Sequence, residues 1–170
     1  MVDNIFVKKR GGQYFVCFLG KEYPVTVGQN GLSTNRAEGD MSTPAGCFSL
    51  KEVYYRADRL SIPKTGLPTR AIEQNMGWCT MSTCADYNTR VLLPHDGDHE
   101  NLWRDDHIYD LLVVLDYNNN PVVPGRGSAI FLHLARPDFL PTAGCVAFLY
   151  DDLVQILAEA SLKTKICIEG

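Results

Sequence analysis

Residues 127–148 read GSAIFLHLARPDFLPTAGCVAF, and the rest of the chain is best read outward from this stretch. The run 127–134 is apolar enough to predict a strand, with His133 near its C-terminal end. A loop then returns the chain to Cys145, which follows the turn Thr142-Ala143-Gly144. Glycine at 144 permits a tight turn and backbone angles that other residues avoid. It also makes the backbone N–H groups of Gly144 and Cys145 candidates to face a developing oxyanion. A neutral imidazole near a thiol can take its proton and later return it to a leaving amine. By residue type alone, a histidine and a cysteine in apolar surroundings are more often core than catalytic. Two features favour chemistry. His133 ends an apolar strand, where Leu or Val would fill a core without a polar atom. Cys145 follows a turn rather than lying inside a strand.

Upstream, the chain reads as β structure. Residues 5–9 and 14–19 flank Gly11-Gly12, a hairpin signal. A turn at Gly20-Lys21 leads to a strand over 23–27, then a polar loop over 28–45 and a strand over 47–54. The segment 56–103 holds Pro63, Pro68 and Pro94 and many polar residues, and predicts a long loop that forms a lid or wall. Residues 108–117 predict a central strand, ended by Asn118-Asn119-Asn120-Pro121. Downstream of Cys145, Asp151 and Asp152 open a helix on which Leu153, Ile156, Leu157 and Ala160 recur at helical spacing. Residues 164–168 close the chain as a strand. The expectation is a single mainly β domain, 1–170, with one main helix after Cys145.

With 170 residues, 45% hydrophobic, the chain can bury a real core. Its net charge of −4, with charges scattered along the chain, argues against a nucleic-acid binder. The longest apolar runs, 111–115 and 129–132, are strand-sized and predict no membrane span. Residues 1–12 lack the apolar core of a secretory signal, which points to a cytoplasmic chain or to one written without its export signal. Of six cysteines, Cys17 and Cys167 sit in apolar runs and are expected as buried thiols. Cys79 and Cys84 are either paired or free. His95, His99 and His107 lie among Asp96, Asp98, Asp105 and Asp106, but an exposed polar loop explains them better than a metal, so no metal or cofactor is expected. Trp78, Tyr87, Trp103 and Tyr109 are wall or core aromatics. Arg36, Arg104 and Arg136 are candidate carboxylate binders, with Arg136 favoured because it lies between His133 and Cys145.

The pattern His133…Thr142-Ala143-Gly144-Cys145 resembles the active-site signature of the L,D-transpeptidase catalytic domain family, a histidine on a strand followed by Ser/Thr-x-Gly-Cys. Thr43-Pro44-Ala45-Gly46-Cys47-Phe48 is similar to that family's Thr-Pro-x-Gly-x-Phe turn. Arg104-Asp105-Asp106-His107-Ile108-Tyr109-Asp110 and Trp78 resemble short proteobacterial members. The likeness spans 25–157. Two positions differ from many members: Ala143 stands where a histidine is common, and Ala147 where Arg or Asn is common. The resemblance implies a β-sandwich and cysteine acyl transfer on peptidoglycan stem peptides in the periplasm or cell wall. Cys145 would be nucleophile, His133 base and then acid, oriented by a backbone carbonyl. Gly144 would serve the oxyanion, and Thr142 the turn or the intermediate. Ser128, Trp103, Arg104, Tyr109 and Arg136 are candidates for the substrate groove. Crosslinks between two diaminopimelates, or between L-Ala and diaminopimelate, are the expected products, made by a monomer. Hydrolysis by the same pair, as an L,D-carboxypeptidase or endopeptidase, and a non-catalytic peptidoglycan-binding module are the alternatives.

Overall fold

The computed structural model describes residues 3–169. Its strands are, in order, β1 Ile5–Arg10, β2 Gln13–Phe18, β3 Lys21–Thr26, β4 Leu32–Ser33, β5 Thr43–Pro44, β6 Gly46–Tyr55, β7 Thr69–Ala71, β8 Met76–Cys79, β9 Arg90–Leu92, β10 His99–Asn101, β11 Leu111–Leu115, β12 Phe131–Leu134 and β13 Val146–Phe148. Helix α1, Tyr150–Glu159, and strand β14, Lys165–Ile168, complete the chain. The main sheet runs β11-β12-β13-β3-β2-β1-β14-β6-β7, and β11 pairs with β6 as well. The two layers of the expected sandwich are therefore joined edge to edge, and the β6–β11 pairing closes the sheet on itself. Closure removes exposed edges.

The strands nearest the site bury both faces, which is why their sequences run apolar without alternation. On one face, Val113, Leu132, Leu134, Val146 and Phe148 join the core that α1 covers with Leu153, Ile156 and Leu157. On the other, Leu112, Val114, Phe131 and Cys145 pack with Met76, Trp78, Leu102 and Tyr109. That second cluster lies under a small sheet of order β10-β8-β9. The segment expected as a structureless wall thus contains its own strands. They are too short and too polar to show a period of two.

The strand expected over 127–134 begins only at Phe131, because Gly127 (φ 116°) and Ala129 (φ 54°) hold the left-handed region and break extension. The cysteines also differ from expectation. Cys17 is half-buried, its Sγ 3.8 Å from Glu22 Oε1, because Val16 and Phe18 take the inward positions on β2. Cys167 is not a free thiol. It is register partner to Cys47 on the antiparallel β6–β14 pair, and the two form a disulfide with Cα atoms 4.0 Å apart. The bridge spans a sequence separation of 120 residues, so no local pattern announces it. Replacing both Cys47 and Cys167 by Ala is expected to lower unfolding stability by ~2–4 kcal/mol through the freed chain entropy of the unfolded state. An unchanged urea midpoint would show that the bridge does not form.

Candidate active site

Parallel pairing of β12 with β13 sets Leu132 opposite Val146 and His133 opposite Ala147. Cys145, one residue before β13, therefore stands level with Phe131 and on the same face as His133 and Ala147. The Phe131 N–H points at Cys145 Sγ (3.3 Å), and the thiol donates to the Ala129 carbonyl (3.1 Å). His133 Nδ1 lies 2.8 Å from the Leu134 carbonyl. A proton on Nδ1 satisfies that carbonyl and leaves the lone pair on Nε2. The Tyr109 ring packs edge-on against the imidazole, centroids 5.4 Å apart.

Burial sets the charge state. It pushes the His133 imidazole down to about 4, and Arg104 and Arg136 push the same way against the Leu134 carbonyl. Burial pushes the Cys145 thiol up to about 12, with Glu100 adding to the rise and the Phe131 amide and Arg36 opposing it. At neutral pH both groups are uncharged. The pair is a neutral acid beside a neutral base, not a preformed ion pair.

The turn before Cys145 is held from three directions. Thr142 Oγ1 donates to the Cys145 carbonyl (2.6 Å) and accepts the Gly144 N–H (3.0 Å). The Gly144 N–H expected to face the oxyanion is thus engaged by Thr142, because the hydroxyl two residues back closes the turn on it. Val27 and Gln29 bracket Thr142 through Thr142 N–H to Val27 O (2.9 Å) and Gln29 N–H to Thr142 O (2.9 Å). From the upstream Thr-Pro turn, Thr43 accepts the Gly28 N–H (2.8 Å) and donates to the Gly144 carbonyl (2.7 Å). Gly144 has φ 148°, and a Cβ there would meet Ser42 O and Arg36 Nη2 at 2.8 Å. Only glycine fits.

A cleft of about 830 Å³ opens over the pair, lined by Cys145, His133, Thr142, Gly144, Ser128, Arg104, Tyr109 and Arg136 among others. Trp103 is not among its walls. Arg56 covers the Trp103 ring at 3.6 Å, and the side chain packs on the cluster behind the site. Trp78 and Tyr87 are buried core aromatics. Trp78 Nε1 and the Ala129 N–H both donate to Asn88 Oδ1 (3.0 Å each), which positions the carbonyl that receives the thiol. Asn88 lay inside the featureless loop and had no sequence signal.

The cleft also holds Arg36, Glu38 and Glu100. Arg36 is 5% exposed, gives Nε to Ser42 O at 2.7 Å, and has a buried Nη1 without a partner. A Cβ on Gly127 would lie 1.7 Å from that nitrogen, so the glycine makes room for the guanidinium. Arg136, favoured from the sequence, is exposed at the mouth, while Arg104 is half-buried and clamped to Asp106 at 2.6 Å. Glu38 receives Tyr87 Oη (2.5 Å) and Ser128 Oγ (2.7 Å), and Glu100 receives Tyr109 Oη (2.6 Å). Burial raises the Glu100 carboxyl above its ordinary value.

The sequence profile of the L,D-transpeptidase catalytic domain, YkuD, matches residues 5–168. The chain belongs to this family. Its fold is similar to the crystal structure of Mycobacterium tuberculosis L,D-transpeptidase 1, at TM-score 0.45 and 12% identity, over 99% of this chain and 62% of that one. The chain therefore spans less than two thirds of that protein's length. No curated protein matches it in sequence. As in the L,D-transpeptidase signature, the histidine stands on a strand and the cysteine follows Thr-x-Gly.

Two outcomes test this geometry. Thr43→Val removes the hydroxyl between Gly28 N–H and Gly144 C=O. It is expected to cost about 1–3 kcal/mol of stability and to lower kcat. Wild-type values for both in calorimetry and steady-state assays would sink the assignment. Because His133 must be neutral to accept a proton, activity should persist through ~6.5, where an ordinary imidazole protonates. It should fall only as pH drops through about 4. An acid limb of kcat/KM near 6.5 would contradict a buried, depressed imidazole.

Proposed function

We propose that this protein is a cysteine acyltransferase that crosslinks peptidoglycan stem peptides. The observation that carries the reading is the neutral Cys145–His133 pair at the floor of a cleft whose walls hold both guanidinium and carboxylate groups. A stem peptide ending in diaminopimelate and a D-residue presents carboxylates and an ammonium close to the scissile amide. Arg36, Arg104 and Arg136 suit the carboxylates, and Glu38 and Glu100 the ammonium.

On substrate binding the thiol turns from Ala129 O toward His133, and Nε2 takes its proton as Sγ attacks the carbonyl of the L-centre. The resulting oxyanion lies near the Cys145 N–H and the positive charge of Arg36. His133 then gives its proton to the departing amine of the D-residue, leaving a thioester on Cys145. An acceptor amine attacks that thioester, its proton passes to His133, and the thiol is restored. Small side chains at Ala143 and Ala147 keep the groove open for the acceptor. The acceptor is the side-chain amine of a second diaminopimelate or the L-Ala end of a stem. The Cys47–Cys167 disulfide fits an oxidising compartment and so supports action in the periplasm.

Incubation with purified muropeptides, read by mass spectrometry, tests the reading. Dimers are expected from the wild type. Cys145→Ala should form none, and His133→Gln should lose ~10²–10⁴-fold in kcat/KM. Trimmed monomers would assign hydrolysis instead, and an unchanged mixture would leave only binding.

A further inference from the structure

Behind the wall of the cleft, residues 80–98 form a long, largely exposed excursion with few buried side chains. Burial alone gives such a segment little reason to hold one shape. Two metal-binding side chains of this segment nevertheless converge on a third at the end of β8. The Sγ atoms of Cys79 and Cys84 and a ring nitrogen of His95 all lie within 4.8 Å of one another. Cys84 Sγ is 3.8 Å from His95 Nε2. We propose that Cys79, Cys84 and His95 bind a zinc-type divalent cation, with His99 as the fourth ligand, and that this ion staples the β8–β10 wall of the cleft.

The local backbone aims these groups. Cys79 N–H donates to Thr89 O and Asn88 N–H returns to Cys79 O, both at 2.9 Å, closing the loop that carries Cys84. Turns from Cys84 N–H to Met81 O (3.0 Å) and Tyr87 N–H to Cys84 O (3.1 Å) bring that cysteine back to Cys79. Thr80 N–H to Asp98 O (2.9 Å) ties the cysteine loop to the histidine loop. Gly97 packs so closely that a Cβ would lie 3.1 Å from His95 Nε2. His99 is the register partner of Cys79 on antiparallel β10, so both side chains leave the same face of the small sheet. Its ring centroid is 6.2 Å from that of His95, and rotation of this exposed side chain brings both imidazoles onto one ion. That rotation gives up the 2.9 Å contact of His99 Nδ1 with the Gly97 carbonyl and frees a ring nitrogen to ligate.

The donor set selects the metal. Two thiolates and two imidazoles are the ligands of closed tetrahedral zinc sites, and the spacings Cys79-x4-Cys84 and His95-x3-His99 lie within the ranges those sites use. Binding replaces two S–H protons, released to solvent, by two sulfur–metal bonds, and the histidines bind neutral. The ion and its two thiolates balance in charge. The sequence reading had set these histidines among aspartates, because the two thiols that meet His95 come from before the turn at Pro94. The consequence reaches the active site, since His99, Glu100 and Asn101 of β10 line the cleft.

The test is titration of the reduced full chain with Co²⁺ and then Zn²⁺, read by bound metal per chain and by thiolate-to-cobalt charge-transfer and tetrahedral d–d absorption. One equivalent with both signatures is expected, together with slower hydrogen exchange in β8 and β10 on loading. Cys84→Ser and His95→Ala, at half-buried positions, should each weaken binding by more than ~100-fold. Cys17→Ser and Cys145→Ala should leave it unchanged. The proposal is overturned by stoichiometric binding that survives Cys84→Ser, by absence of the sulfur charge-transfer band, or by a Cys79–Cys84 disulfide in the peptide map of the protein isolated without reductant.

Discussion

One buried hydroxyl ties the turn before Cys145 to the rest of the sheet. Thr43 is fully buried, takes the Gly28 N–H and gives its proton to the Gly144 carbonyl. The turn that aims Cys145 therefore rests on residues more than a hundred positions upstream, as the 101-residue separation of Thr43 and Gly144 records. Neither partner can drift alone. A Cβ on Gly28 would meet Met41 O at 2.5 Å, so backbone packs directly on backbone there. Loss of the hydroxyl would leave a buried donor and a buried acceptor unpaired, which is worse than never having had them.

That arrangement explains what could be read from the sequence. The long strands were visible because two-sided burial gives continuous apolar runs and one-sided burial gives alternation. The helix was visible because Leu153, Ile156 and Leu157 repeat at its period. His133, Thr142 and Cys145 were visible because a strand, a turn and a cysteine follow one another and match the family's His…Thr-x-Gly-Cys signature. What stayed hidden is what contacts make at a distance. Cys47 and Cys167 meet only because β6 and β14 pair. Arg36 becomes part of the site only when its loop folds over Gly127 and Gly144. Glu38 arrives from a loop and Glu100 from the middle of β10. Trp103 looked like a wall by composition, but Arg56 stacks on it first. Strands β7 to β10 have three or four residues each, too few for any period to declare itself.

The same burial that makes the site rigid makes its resting chemistry inert. A thiol pushed to about 12 and an imidazole pushed to about 4 do not exchange a proton unaided. Cys145 is thereby no permanently reactive thiolate, and on the proposed reading the charge is created during attack. Creating it on a buried sulfur favours a fixed positive partner, because burial weakens the solvation of the new charge. Arg36 meets that need. Its Nη1 is buried and unpartnered, its nearest acid, Asp40, is 3.7 Å from Nε, and Gly127 and Gly144 leave it the space to stand beside Cys145. A buried guanidinium with one nitrogen left unpartnered is costly in the empty protein. On the proposed reading, an anion that forms or binds next to Nη1 supplies the missing partner. On that same reading the cost is carried in the ground state and recovered when the oxyanion or a substrate carboxylate arrives, which is the condition under which binding energy accelerates a reaction rather than merely holding its substrate.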